Sequence, residues 1–372
     1  MAISLSSSAL AAAKVEIDDT RWVSVGAGLR TSFSSVEDAS PDGDDRSSDF
    51  NVDSMRLYVA GQAHEKVKFT FNTECIACGE ADSKIFVLDA IAQFELSDAL
   101  NIWMGRMLTP ADRIEMNGPY YGLTWNQYTT PLLPSDQNPF SALAGRYGRD
   151  DGVTVWGQLD KFQYSVGIFD GYNGASNQSD NLLFSGRFAY NFLSDEGNPA
   201  YYTSSTYFGG AGDVFTVAGF FQSQADGAGT GLEPADFTSY GVDVLFEKVL
   251  GDDGGVITLE GEYKMFDVDL TSTMVADPTC FCLFDGDTYF VAAAYLFPSE
   301  VGFGKFQPYV RYTSNEPDGF FDDSDLVEVG LNYIISGHNA RLNVNFTDGD
   351  ANLTGVPGGD VNAFTFGIQV QI

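Results

Sequence analysis

The chain ends on "FTFGIQVQI", residues 364–372. Phe364, Phe366, Ile368, Val370 and Ile372 are apolar, and Thr365, Gly367, Gln369 and Gln371 stand between them. Successive side chains of an extended strand point to opposite faces, so this period of two describes a ribbon with one greasy and one hydrophilic side. Fifteen further stretches of about ten residues carry the same pattern, the length a strand needs to cross a bilayer. They begin at Arg21, Phe50, Val67, Ile85, Leu100, Asp151, Phe162, Asn181, Val214, Phe237, Val256, Asp287, Lys305, Asp325 and Ala340. In the one from Ile85, Phe86, Leu88, Ala90, Ala92, Phe94 and Leu96 share a face, and Asp89, Gln93 and Glu95 lie opposite.

Links between the stretches alternate in length. Short ones such as "AHEK" at Ala63, "DK" at Asp160 and "GHN" at Gly337 take turns with long acidic ones such as "DASPDGDDRSSD" at Asp38 and "TSTMVADPTCFCLFDG" at Thr271. Short turns on one rim and long loops on the other describe an outer-membrane barrel with periplasmic turns and extracellular loops. Residues 193–213 break the rhythm with a long link where a short turn is due, either a periplasmic excursion or a hidden strand.

A soluble β-sandwich also alternates, with its apolar faces meeting inside. Three features favour the barrel: aromatics near strand ends on the apolar faces, charges of both signs on the opposite faces, and a chain that ends on its last strand. The expectation is an all-β transmembrane antiparallel β-barrel of sixteen strands over residues 21–372, in a bacterial outer membrane. Lipid then meets Phe364, Phe366, Ile368, Val370 and Ile372.

Bulk composition agrees. Lys plus Arg is 19 and Asp plus Glu is 52, a formal net charge of −33, which repels nucleic acid. Disorder, the other common reading of high net charge, does not suit 30 Phe, 18 Tyr and 4 Trp. Forty glycines suit a turn-rich β protein. No apolar run is long enough for a transmembrane helix. "MAISLSSSALAAA" reads as a signal peptide over residues 1–13 with no basic stretch before its apolar part, a flexible tail being the plainer alternative, and residues 14–20 as a periplasmic N-terminal segment.

Several segments resemble the phosphate-selective porin O and P family of bacterial outer membranes. They are "LDAIAQFELSDALNIWMGRMLTPADR" from Leu88, "QYSVGIFDGYN" from Gln163, "GRFAYNFL" from Gly186 and "VEVGLNYIISGHNARLNVNFT" from Val327. The resemblance implies a sixteen-stranded channel, commonly a homotrimer, whose third extracellular loop folds inward. Its phosphate binders are clustered lysines. The third loop here, residues 111–150, has none, offering Arg113, Arg146 and Arg149 against Asp112, Glu115, Asp136 and Asp150. "Porin" carries over from the resemblance and "phosphate" does not.

A link of this length without strand pattern is often functional. Folded inward, it makes a constriction of Asp112, Arg113, Glu115, Tyr120, Tyr121, Trp125, Arg146 and Arg149; capping the barrel or packing on a neighbour is the plainer role. Alternation sends Arg56, Asp89, Glu95, Arg106, Glu260, Glu262, Lys264, Arg311, Glu328 and Arg341 to the lumen wall. Opposed charges across a channel order its water and disfavour apolar solutes, while pairing between neighbouring strands is the local alternative.

Cys75, Cys78, Cys280 and Cys282 fall in two extracellular loops, where disulfides within or between the loops outweigh a zinc site. No motif calls for a cofactor or metal. His64 and His338, the only histidines, fall in short periplasmic turns, which leaves no Ser-His-Asp set at the outer rim. The expected activity is non-enzymatic: passive diffusion of small hydrophilic solutes or ions. Partners are outer-membrane lipid and lipopolysaccharide. The alternative is a sheath around an electron-transfer protein, in a porin-cytochrome conduit.

Overall fold

The computed structural model describes residues 13–372 apart from 77, 79–82, 134–147, 199, 252–253 and 320. Most of the leader peptide expected over residues 1–13 therefore lies outside the described residues.

Seventeen strands form one sheet: β1 (Ala13–Glu16), β2 (Trp22–Val36), β3 (Ser47–His64), β4 (Val67–Ile76), β5 (Lys84–Ser97), β6 (Leu100–Leu108), β7 (Arg149–Leu159), β8 (Phe162–Phe169), β9 (Leu183–Asn191), β10 (Val214–Gly229), β11 (Pro234–Val249), β12 (Val256–Asp267), β13 (Gly286–Leu296), β14 (Lys305–Pro317), β15 (Ser324–Ser336), β16 (Ala340–Gly349) and β17 (Val361–Gln371). Two one-turn helices, α1 (Arg113–Asn117) and α2 (Ser272–Ala276), lie in loops. Every alternating stretch in the sequence coincides with one of β2–β17. The extra strand, β1, folds back on the start of β2, with Glu16 opposite Trp22.

Each of β2–β17 pairs antiparallel with the next, and β17 returns to β2 with Gln369 opposite Arg30. The sixteen strands thus close into a barrel. Closure leaves no strand of the ring with a free edge, and an unpaired edge in hydrocarbon costs several kcal/mol per group. Asp160 and Lys161 join β7 to β8, and Asp160 takes φ 55°, the left-handed conformation that suits two-residue hairpin turns.

The outer face is apolar. Phe364, Phe366, Ile368, Val370 and Ile372 are all exposed, as are Val344 and Phe346 of β16 and Val327, Val329 and Leu331 of β15. Thr365, Gln369 and Gln371 point inward and are buried. Tyr190, Phe192, Phe297, Phe303 and Phe162 sit near strand ends on the outside, as an aromatic girdle requires.

Two expected orientations differ. The β4–β5 register skips a residue, with Asn72 opposite Asp89 and Thr73 opposite Val87, so Leu88 is the extra residue of a β-bulge. A bulge reverses face parity beyond it. Ile85 and Val87 take the outer positions, and Leu88 is buried. Arg106 does not line the lumen either. It lies opposite outward-facing Ala90 and Asp151, and pairs with Asp151 at 3.8 Å.

Charge on the outer face of a barrel is costly at mid-bilayer, about 2–4 kcal/mol for Arg. Val344→Arg, midway along β16, is expected to lose that much stability against urea in lipid vesicles, while Val344→Leu stays near wild type.

Candidate functional site: a lumen occupied from both rims

The third extracellular link leaves β6 after Leu108 and turns into the barrel. Asp112 Oδ1 accepts the Glu115 N–H at 2.9 Å and caps α1, whose five residues are all buried. From there the chain lies along the inner wall made by β14–β17 and β2. Wall side chains donate to its carbonyls in succession. Arg341 Nη1 reaches Gly122 O at 2.6 Å, Asn332 Nδ2 reaches Leu123 O at 3.0 Å and Arg30 Nη2 reaches Trp125 O at 2.8 Å. Arg311 Nη1 reaches Gln127 O at 2.8 Å, Asn315 Nδ2 reaches Thr129 O at 3.2 Å and Gln369 Nε2 reaches Tyr120 O at 3.0 Å. An irregular segment at membrane depth must satisfy its backbone from surrounding protein, and these donors do so.

Two glycines on the wall make room for the ring side chains. A Cβ on Gly367 would lie 2.5 Å from the Trp125 ring, and one on Gly28 would lie 2.9 Å from Tyr120. The glycine in the closing "FTFGIQVQI" thus seats a tryptophan of the third loop. The Arg30 guanidinium stacks on the same ring at 4.0 Å.

The link over residues 193–213 enters from the periplasmic rim and carries no strand among its described residues. It rises inside the barrel and meets the third loop. Arg113 of α1 holds Glu196 with both terminal nitrogens, at 2.7 and 2.6 Å, and donates to Ser204 O at 2.9 Å. Thr203 Oγ1 donates to Arg113 O at 2.7 Å, Ser205 N to Tyr121 O at 3.1 Å and Asn117 Nδ2 to Ser205 Oγ at 2.8 Å. Wall carboxylates take the remaining hydroxyls: Ser205 donates to Glu260 at 2.7 Å and Thr206 to Glu247 at 2.8 Å. Tyr201 and Tyr202 pack on Trp103 at centroid distances of 5.4 and 5.8 Å, and Trp103 meets Trp156 edge-on at 5.4 Å. With Ile91, Met107, Met116 and Phe220 they form an apolar core inside the barrel, beneath β5–β7 and β10.

Ion pairs complete the packing. Lys264 gathers Asp112 at 2.9 Å, Glu262 at 3.2 Å and Glu115 at 3.6 Å. Asp243 bridges Arg113 at 3.2 Å and Arg187 at 2.7 Å. Arg56 pairs with Glu74 at 2.5 Å and lies over the Tyr120 ring; Asp89 pairs with Arg149 at 3.0 Å. Burial opposes ionisation of Asp112, yet the Lys264 ammonium and the Glu115 N–H hold its carboxyl below the usual range. Burial, then the charge of Asp112, pushes the Glu115 carboxyl well above it. Burial likewise opposes charge on Glu196, but Arg113 outweighs it and takes that carboxyl down to about 2. His338, in the β15–β16 turn, packs on Tyr121 and Phe208, and burial followed by Arg341 depresses its pKa to about 4.

Asp112, Arg113, Glu115, Tyr120, Tyr121 and Trp125 therefore lie inside the barrel, and Arg146 lies outside the described residues. Arg149 opens β7. Arg56, Asp89, Glu260, Glu262, Lys264, Arg311, Glu328 and Arg341 face inward, but buried under the two links rather than along open water. Inward-facing polar side chains keep partial exposure towards the periplasmic half of β2–β5, at Ser24, Tyr58, Gln62, Lys68, Thr70 and Glu95, the last paired with Lys68, and also at Gln158 and Gln163 of β7–β8 and Lys305 of β14. Glu74, Asp243, Arg187 and Glu196 escaped the sequence reading. Period two would have found the first three; Glu196 sits on a link that gives no orientation signal. Cys75 bonds Cys78 and Cys280 bonds Cys282, each a local bridge; Cys75 itself is at the end of β4 and not in the loop expected for it.

Solved barrels share this architecture. The outer-membrane protein OmpT of Vibrio cholerae aligns over 97% of this chain and 100% of its own at 17% identity and TM-score 0.56. The anion-selective porin of Comamonas acidovorans aligns over 95% and 100% at 14% identity and TM-score 0.60. OprB of Pseudomonas putida aligns over 94% and 92% at 9% identity and TM-score 0.52. No protein-family profile and no curated protein matches the sequence. At these identities the likeness is one of fold: a closed outer-membrane barrel of the porin type.

Two outcomes test the packing. Gly367→Val drives a side chain into Trp125 and is expected to cost about 1–3 kcal/mol by overpacking, read by urea unfolding in vesicles. Glu196→Gln removes a charged hydrogen-bond partner of Arg113, worth about 1–3 kcal/mol. Because the native Glu196 pKa is depressed, this stabilisation is complete above the unfolded value of about 4.3 and fades as pH falls towards 2. The stability gap between wild type and Glu196→Gln should be constant above pH ~5 and close towards pH ~2.

Proposed function

We propose that the chain is a porin of the bacterial outer membrane that lets small hydrated ions diffuse passively along one side of its barrel. The observation that carries this reading is the asymmetry of the lumen. The third loop is fixed to β14–β17 and β2 by its backbone carbonyls, and an apolar core fills the side under β5–β7 and β10. Partly exposed Ser24, Tyr58, Gln62, Lys68, Thr70 and Glu95 remain as the hydrophilic side. Towards the extracellular side the route passes the buried pairs Arg56–Glu74 and Asp89–Arg149, which hold this part of the wall in place.

The passage prefers cations. The formal charge is −33, and the extracellular loops are acidic, with Asp38, Asp42, Asp44, Asp45, Asp318, Asp322 and Asp323 among their residues. Such a mouth concentrates cations. Phosphate selection is no part of the proposal, because the third loop lacks lysine and Lys264 is already held by three carboxylates. Assembly as a homotrimer in lipid and lipopolysaccharide completes the proposal; in-vitro folded OmpT of Vibrio cholerae, a barrel of similar fold, is a trimer form. No catalytic step is proposed: His64 is exposed at a periplasmic turn and His338 is enclosed between Tyr121 and Phe208. A sheath around an electron-transfer protein finds little support, since the chain's own residues 109–133 and 193–213 occupy the interior such a partner would need.

Planar-bilayer recording across a KCl gradient tests the proposal. Steady unitary steps with a reversal potential of cation-selective sign are expected. Silence from folded, inserted protein overturns the channel reading, and an anion-selective sign overturns the charge argument.

A further inference from the structure

Links on the periplasmic rim are a few residues long, as at His64–Val67, Asp160–Lys161 and between Ser336 and Ala340. The link over residues 193–213 departs from this and is spent inside the lumen. Its tip reaches Glu260, four residues in from Val256 at the periplasmic end of β12. There its hydroxyls and backbone meet α1 and Tyr121 of the third loop, and Ser204 Oγ lies 3.1 Å from His338 Nε2 of a neighbouring turn. Ser204, Ser205 and Thr206 are fully buried. A barrel of this strand number encloses an aqueous channel unless something fills it. Here two segments from opposite rims hydrogen-bond to each other at mid-lumen, so neither fills it alone.

We infer that residues 193–213 form a periplasmic stopper that sets the size limit of the passage, with Arg113 as its latch. The third loop alone leaves the sector under β6, β7 and β10–β12 uncovered on its periplasmic side. Tyr201, Tyr202 and Ser205 cover that sector against Trp103, Trp156 and Glu260. Arg113 joins the two parts, because the same guanidinium binds Glu196 and Ser204 O on the stopper and Asp243 on the wall. The inference rests on the channel reading and adds what limits its bore.

The test compares wild type, a variant with residues 196–211 replaced by Asn-Gly, and Tyr201→Ala combined with Tyr202→Ala, which keeps the link's length. Each is checked for folding by heat-modifiable migration, then measured for unitary conductance and for the largest sugar that leaves loaded liposomes. The short-turn variant is expected to conduct about threefold more or better and to pass larger sugars, since the sector under β6, β7 and β10–β12 then opens beside the third loop. The double alanine variant should fall between. A folded short-turn variant with wild-type conductance and size limit overturns the stopper while leaving the channel standing. A silent wild type beside a conducting short-turn variant overturns the channel reading and the size limit with it, and makes the link a full plug. Silence from all three overturns both readings. If the short-turn variant fails to fold, the double alanine variant decides: unchanged conductance and size limit count against the stopper.

Discussion

A backbone in hydrocarbon has no water to bond to, and this molecule is arranged around that constraint. The sixteen-stranded ring meets it by closing β17 onto β2. The same requirement follows the chain indoors. The third loop has no sheet to join, so its carbonyls are met one after another by Arg341, Asn332, Arg30, Arg311, Asn315 and Gln369. Wall residues that look like channel charges serve in part as hydrogen-bond donors to a folded segment. Arg311 uses one terminal nitrogen for Gln127 O and the Thr124 hydroxyl, which leaves its positive charge available to Glu260 and Glu328 nearby.

The acidic character has two parts with different physics. At the extracellular rim, aspartates such as Asp42, Asp44 and Asp45 are exposed and screened by salt. In the interior, carboxylates are buried and must be matched: Asp243 by two arginines, Asp112 by Lys264, Glu196 by Arg113. A buried pair of this kind contributes little net stability over an apolar substitute, but losing one partner is costly. Its value here is positional. Arg113 can be satisfied only when α1, the periplasmic link and β11 are together, so the pair fixes the register of three segments that share no strand pairing.

Much of this was legible in the sequence because a strand's period is two and the barrel has a single inside. All sixteen strands, the order of short and long links and the lipid face of β17 could be read from alternation. Where a bulge intervened, at Leu88, parity was lost. Arg106 shows the limit differently: it shares the parity of Met104, which is outward, and a charged residue near the extracellular rim can sit outside with Asp151. The interior was far less legible. Trp103, Phe220 and Ile91 occupy nominally wet positions, and period two cannot say whether an inward residue meets water or another loop. Gly28 and Gly367 were the available signal, since a glycine on an inward strand position often marks a close approach.

The link over residues 193–213 explains why the apolar inward residues are where they are. An aqueous lumen has no use for Trp103, Trp156 or Phe220, because each would expose apolar surface to water at about 25 cal/mol per Å². Under Tyr201 and Tyr202 that surface is covered instead. The apolar residues cluster on β6, β7 and β10, the inner wall that faces the link, and the longest run of partly exposed polar ones lies on β2–β5, away from it. One irregular segment on the periplasmic rim thus divides the inner wall into a dry side and a hydrophilic side. A barrel wall of uniform alternation therefore becomes, on folding, an interior with a direction to it.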